Sequence, residues 1–363
     1  MVSRINNKRR VVFMHMADAL LAPAVAGAMY VASGAAAGVS IKKLKEDDNT
    51  QKLPTMAVTA AVVFAGQMIN YTIPGTGSSG HMCGGMLLTA LLGPFAGFLS
   101  MIVVLAIQCL FFADGGLMAL GANIWNMAFY GCFVGYYLIW KPIIHGKWFG
   151  EGKSALRSRI IVASILGCVI TLQLGAFSVV LETSLSGITE LPFGAFLALM
   201  QPIHLAIGLI EGLITAAVLC FVFESRPEML MDVDEVGVPL EAKRSLNSTV
   251  AILAIVALVV GGGLSLFASG NPDGLEWALF GNADGGYSTN MGLDEENFGV
   301  ESSTAEKAES VQEKTSFLPD YAFPNSESAV GTSVSGIVGA AMVAALAVLI
   351  SIAGKFFRKK NNA

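Results

Sequence analysis

Eight long apolar stretches, at 19–41, 54–73, 84–112, 119–140, 158–181, 193–223, 248–268 and 332–354, set the terms on which this chain can fold. A segment of roughly 20 mostly apolar residues is long enough to cross the hydrocarbon of a bilayer. In lipid the backbone must satisfy its own hydrogen bonds, so such segments form helices. The run 84–112 is too long for one upright span, and Gly93-Pro94 interrupts it. Proline lacks an amide donor and clashes with the turn before it, so two short helices folded back on each other are expected there. The chain is thus expected to be an all-α polytopic membrane protein with about nine hydrophobic helices. Composition agrees, with 54% of residues hydrophobic and 13% charged, against about 25% charged in soluble domains. The net charge of -5 argues against a nucleic-acid partner. Five cysteines with no CxxC pattern leave neither a disulfide framework nor a zinc knuckle.

Basic residues set the orientation. Lys42, Lys43 and Lys45 follow the first span, and Lys141, Lys147, Lys153, Arg157 and Arg159 lie between the spans ending at 140 and starting at 158. Lys243 and Arg244 precede the span at 248, and Lys355, Arg358, Lys359 and Lys360 close the chain. Nine helices put all four clusters on one side, taken as cytoplasmic. Arg4, Lys8, Arg9 and Arg10 break the pattern. Either translation starts at Met14 or the extension is trimmed; cleavage of a secretory signal near residue 35 is the alternative. The polar segment 225–247 reads as a cytoplasmic linker between a seven-helix unit at 14–224 and a two-helix unit at 248–363. The stretch from about 269 to 331 in the second unit is acidic and external, and mostly too polar to pack a core of its own.

Two of the four histidines bracket the first helical hairpin. His15 precedes the first span and His81 follows the second, beside a Gly/Ser loop expected to be flexible. The start and end of such a hairpin emerge on the same side, so the two imidazoles can meet on one membrane face. Imidazole is a good ligand for borderline divalent ions such as Ni²⁺ and Co²⁺. If the chain begins at Met14, its amine, the next amide nitrogen, the His15 ring and His81 make a four-nitrogen plane. Asp18 would orient a ligand from behind. The plainer alternative makes each histidine an interfacial anchor. Cys83 is either a soft ligand or, more simply, a packing residue. Polar residues inside spans are costly and often functional. Asn123 and Asn126 share a helix face, as do His204 and Glu211, seven apart; the latter pair suggests a proton relay or, more simply, structural hydrogen bonds to neighbouring helices. Gly150-Glu151-Gly152-Lys153-Ser154 lacks the first glycine of a P-loop, and no hydrolytic motif is present.

Several of these segments resemble a known family. Met14-His15-Met16-Ala17-Asp18, Thr76-Gly77-Ser78-Ser79-Gly80-His81-Met82-Cys83-Gly84-Gly85, Phe112-Ala113-Asp114-Gly115-Gly116, the stretch from Ala119 to Met127 and the stretch from His204 to Thr215 are similar, in order, to motifs of the CbiM/NikM family. These are the substrate-capture (S) components of cobalt and nickel energy-coupling-factor (ECF) transporters, an ABC-type class. Asn271-Pro272-Asp273-Gly274-Leu275-Glu276-Trp277, Pro319-Asp320-Tyr321 and the run from Gly331 to Gly339 resemble the small CbiN/NikN or PDGLE component. The resemblance implies metal ligands at Met14, His15 and His81, with Asp18, Ser79, Asn123 and Asn126 around them. It implies transported Co²⁺ or Ni²⁺, a transmembrane coupling subunit of CbiQ/NikQ type, and ATPase subunits of CbiO/NikO type that use the ATP. The chain departs from the family at Ala19, where the family has glycine, and in the thirteen residues before Met14.

The expectation is therefore a multi-pass transporter subunit of a prokaryotic cell membrane, not an enzyme, with no cofactor and no nucleotide site of its own. The rivals are a proton-coupled metal carrier using His204 and Glu211, and a membrane metalloenzyme. Nickel and cobalt are not distinguished by these ligands.

Overall fold

A computed structural model describes residues 15–46, 52–188, 190–283, 285–286, 290–293, 298–324, 328 and 330–361. Eleven helices carry the fold: α1 (Pro23–Glu46), α2 (Lys52–Gln67), α3 (Gly85–Leu92), α4 (Pro94–Phe112), α5 (Leu120–His145), α6 (Lys153–Leu185), α7 (Phe193–Ser225), α8 (Leu246–Gly262), α9 (Gly274–Phe280), α10 (Ser303–Thr315) and α11 (Val330–Asn361). All but α9 and α10 correspond to the nine expected hydrophobic helices. Seven of the nine are long and apolar enough to cross a membrane by length and composition, while α2 and α3 are shorter. Met14 lies outside the described residues.

The break at Gly93-Pro94 falls where the sequence put it. Gly93 takes φ 81°, a conformation that only glycine adopts without strain, and Pro94 starts α4. Small residues bring the helices into backbone contact. A Cβ on Gly85 of α3 would sit 2.9 Å from the Gly131 Cα of α5, and one on Gly212 of α7 would sit 2.7 Å from the Ile165 Cα of α6. The long helices α6 and α7 pack along much of their length. Each has 33 residues, about 50 Å at 1.5 Å per residue, so they extend well beyond a hydrocarbon core of about 30 Å. In α5 the turns from Ile124 to Trp140 are wound wide, in π geometry. The last two spans, α8 and α11, cross where Gly261 meets Gly336, and α11 lies along α2.

One expectation about a loop is corrected. The Gly/Ser segment is an ordered antiparallel hairpin: β1 (Tyr71–Ile73) pairs with β2 (Ser78–Gly80), with Tyr71 opposite Gly80 and Ile73 opposite Ser78. Ser78 and Ser79 are buried. The region after 269 also packs. Among its described residues it builds no separate core, but α9 buries Leu275, Ala278 and Leu279 in a cluster with Met16 and Leu20 of the segment before α1 and Phe196 and Met200 of α7.

Candidate metal centre

His15 and His81 meet, with ring centroids 5.5 Å apart and planes inclined at 68°. His15 is buried at 4% exposure. Its Nδ1 lies 2.8 Å from Asp114 Oδ1. A carboxylate only accepts, so this contact favours the tautomer with its proton on Nδ1 and the lone pair on Nε2, although the pair is misaligned for a regular hydrogen bond. That Nε2 has no hydrogen-bond partner among the described residues. Burial, the largest single influence, would raise the Asp114 carboxyl, but His15, Tyr321 and His81 together outweigh it and hold it below its usual value. Tyr321, from the segment between α10 and α11, donates its hydroxyl to Asp114 Oδ2 at 2.5 Å.

The backbone around His15 is clamped by one asparagine. Asn123 Oδ1 accepts from Met16 N at 3.0 Å and its Nδ2 donates to Met16 O at 3.1 Å, while Gly116 N donates to the same carbonyl. Asp18 does not orient an imidazole, contrary to expectation. Its Oδ1 accepts from Ala119 N at 2.8 Å, and the backbone at Gly116 leaves no space between them. Burial raises its carboxyl despite that bond. The carboxylate behind His15 is Asp114 instead.

His81 is held differently. Its Nδ1 is 3.2 Å from Met82 O; a carbonyl only accepts, so the lone pair again falls on Nε2. The chain just beyond is pinned by Glu211 of α7, whose two oxygens accept from Cys83 N and Gly84 N at 2.9 Å each. Gly84 has φ 84°, which suits glycine. Cys83 donates its thiol to Met127 O.

His204 and Glu211, read as a proton relay or, more simply, as structural hydrogen-bond formers, have separate partners. His204 Nδ1 donates to Met200 O at 2.7 Å, so its Nε2 also bears the lone pair. Asn126 donates to Glu182 Oε2 at 2.9 Å. Ser79 faces away toward the last third of the chain: its hydroxyl donates to Asn271 O at 2.8 Å, and its amide to Pro272 O at 2.7 Å.

His15, His81 and His204 line one cavity of about 90 Å³, together with Cys83, Asn123, Asn126 and Asp273. That is room for an ion and a few waters. The cavity roof is Asp273-Gly274-Leu275 at the start of α9. Asp273 caps α9 by accepting from Glu276 N at 2.8 Å. Burial, then the charge of Glu276, pushes its carboxyl well above the usual range. Gly274 fits because any Cβ would lie about 3 Å from His204 and Ile207. Trp277 Nε1 and Asn282 Nδ2 donate to Thr76 O and Gly77 O in the hairpin turn. Asp114, Tyr321 and the 273–275 roof were not singled out as site residues from sequence.

Among the described residues, nine apolar helices and a histidine-lined cavity define a multi-pass membrane protein whose site suits metal transport. The chain belongs to the CbiM family: residues 15–229 match the cobalt uptake substrate-specific transmembrane region, and residues 247–355 match the PDGLE domain. It is 33% identical over 341 residues to a fused NikMN-type protein of Archaeoglobus fulgidus, covering 92% of this chain and 96% of that one. It is 32% identical over 276 residues to the fused nickel transport protein NikMN of Rhodobacter capsulatus, covering 73% and 75%. A crystal structure described as a truncated transition metal transporter aligns with a TM-score of 0.49 at 30% identity, covering 58% of this chain and 98% of that one.

Proposed function

We propose that the chain is the substrate-capture subunit of an ATP-driven cobalt or nickel importer, and that His15 and His81 bind the ion at the outer face. The observation that carries this is the meeting of the two rings, 66 residues apart in sequence, with His15 Nε2 left unpartnered by the Asp114 bond. A neutral imidazole whose other nitrogen donates to a carboxylate is a strengthened metal ligand. His204 adds a third lone pair to the same cavity. Met14, expected to supply an amine nitrogen, would sit one residue before His15.

The ion arrives hydrated. The cavity holds only a few waters, so entry exchanges water for nitrogen ligands under the α9 roof. The basic residues at the other ends of the helices support an external position for the cavity. No nucleotide motif accompanies it, so the work of release belongs to a coupling subunit and ATPases of CbiQ/NikQ and CbiO/NikO type. The alternative of a proton-coupled carrier loses its relay, since His204 and Glu211 bond to different groups.

Replacing His81 tests the proposal. His81→Ala should weaken nickel or cobalt binding at the His15–His81 cavity by roughly tenfold or more, with membrane insertion intact. Unchanged affinity at that cavity would sink the site. Uptake of labelled ion by the chain alone, without ATPase partners, would sink the ATP-driven part while leaving the site standing.

A further inference from the structure

At the opposite end of α5 from the cavity, a second group of side chains converges. His145 closes α5, and Asp232 and Glu235 follow α7 in the segment that leads to α8. His145 Nε2 is 3.6 Å from Asp232 Oδ1 and 3.6 Å from Glu235 Oε2. All three ligand atoms lie within 4.8 Å of one another. From these residues we propose a second divalent transition-metal site, on the basic-rich face and separate from the His15–His81 cavity.

Three features favour an ion over a plain ion-pair cluster. The spacing is near what coordination needs: ligands about 2.1 Å from one ion stand roughly 3.0–3.4 Å apart, and each carboxylate is 3.6 Å from His145 Nε2, so the cluster closes by a rotation of the exposed Glu235 side chain. Next, the Asp232 side chain is 3% exposed and, with only the Tyr136 hydroxyl close by, its Oδ2 has no regular hydrogen-bond partner among the described residues. A buried carboxylate oxygen without a partner costs free energy, and a cation supplies what is missing. Last, Asp232 takes φ 66°, a strained conformation for a non-glycine residue, and this turns its carboxylate toward α5. The backbone is held there, because Met231 N donates to Ala90 O at 2.8 Å and Trp140 Nε1 donates to Met231 O at 3.1 Å.

One imidazole and two carboxylates suit a borderline divalent ion, Co²⁺, Ni²⁺ or Zn²⁺, with open positions left for water. Lys141 Nζ, 3.9 Å from Asp232 Oδ1, is the competing charge. Its side chain is 47% exposed and is free to swing out when an ion enters. An ion bound there joins α5 to the segment after α7, which places a metal-dependent tie on the face opposite to capture.

The test is a Co²⁺ titration of the full chain carrying His81→Ala, in detergent, followed by equilibrium dialysis and visible absorption. One saturable ion with d–d bands is expected. Adding Asp232→Asn or Glu235→Gln should weaken it roughly tenfold or more; Glu235 is largely exposed, so its replacement leaves the fold alone. Lys141→Ala should tighten it severalfold. A monodisperse His81→Ala chain with no saturable Co²⁺ would overturn the proposal, as would binding indifferent to Glu235→Gln. Either result leaves the His15–His81 reading untouched.

Discussion

The two histidines of the cavity are presented by segments built on opposite plans. The strap that carries His15 has no secondary structure of its own until Asp18, and is held mainly by side chains of the 113–123 region: Asp114 on the ring, Asn123 on the Met16 backbone. The segment that carries His81 is a β-hairpin, held by Glu211 from below and by the backbone of residues 271–272 from beside it. One imidazole is oriented through its ring, the other through its main chain. The difference means that each can be loosened without the other.

The largest effect is expected from Glu211→Ala. It strands the Cys83 and Gly84 amides, at about 1–3 kcal/mol for each buried donor left unsatisfied. Amide exchange should rise across 71–84 and stay unchanged across 15–22; equal loosening of both would erase the contrast. Asp114→Asn comes next. Its amide is neutral, so the His15 tautomer loses its anchor, and metal affinity should fall roughly 10–100-fold with the hairpin undisturbed. A calorimetric titration checks this. Gly274→Val is smaller still. The added side chain meets His204 and Ile207 and should lift the roof, exposing the 76–79 turn to protease while the strap stays protected.

The least effect is on pH dependence. Asp273 has its carboxyl raised by burial and by Glu276, so the docked segment takes up a proton that the undocked one releases. Stabilisation of the roof is then present in full below the ordinary carboxylate range and declines as pH rises through the raised value. Protection of 271–282 should therefore be stronger at acid pH, and Asp273→Asn should flatten that dependence. A slope that survives in the variant would assign it elsewhere.

Much of this was legible in the sequence. Apolar length gave the helix number, Gly93-Pro94 gave the break, and the positions of His15 and His81 either side of a helical hairpin gave their meeting. What escaped was set by contacts between distant residues. Small polar residues from Gly75 to Gly80 have no strand preference of their own; the hairpin is ordered because Pro272 and Asn271 accept from Ser79. Seven-residue spacing placed His204 and Glu211 on one face, yet their bonding is decided by Met200 and by the 83–84 amides. Asp18 is nearer His15 in sequence than Asp114, but the tight 114–119 turn takes its carboxylate.

The phenol of Tyr321 draws electron density from the Asp114 carboxylate on which the His15 ring leans. A carboxylate that shares its charge this way polarises the imidazole less, and so softens its grip on an electrophile. The C-terminal third of the chain thereby moderates the basicity of a nitrogen it never touches. In the proposed capture role the ion has to be let go after it is caught, and a hydroxyl contributed from 207 residues away would set that compromise between holding and releasing.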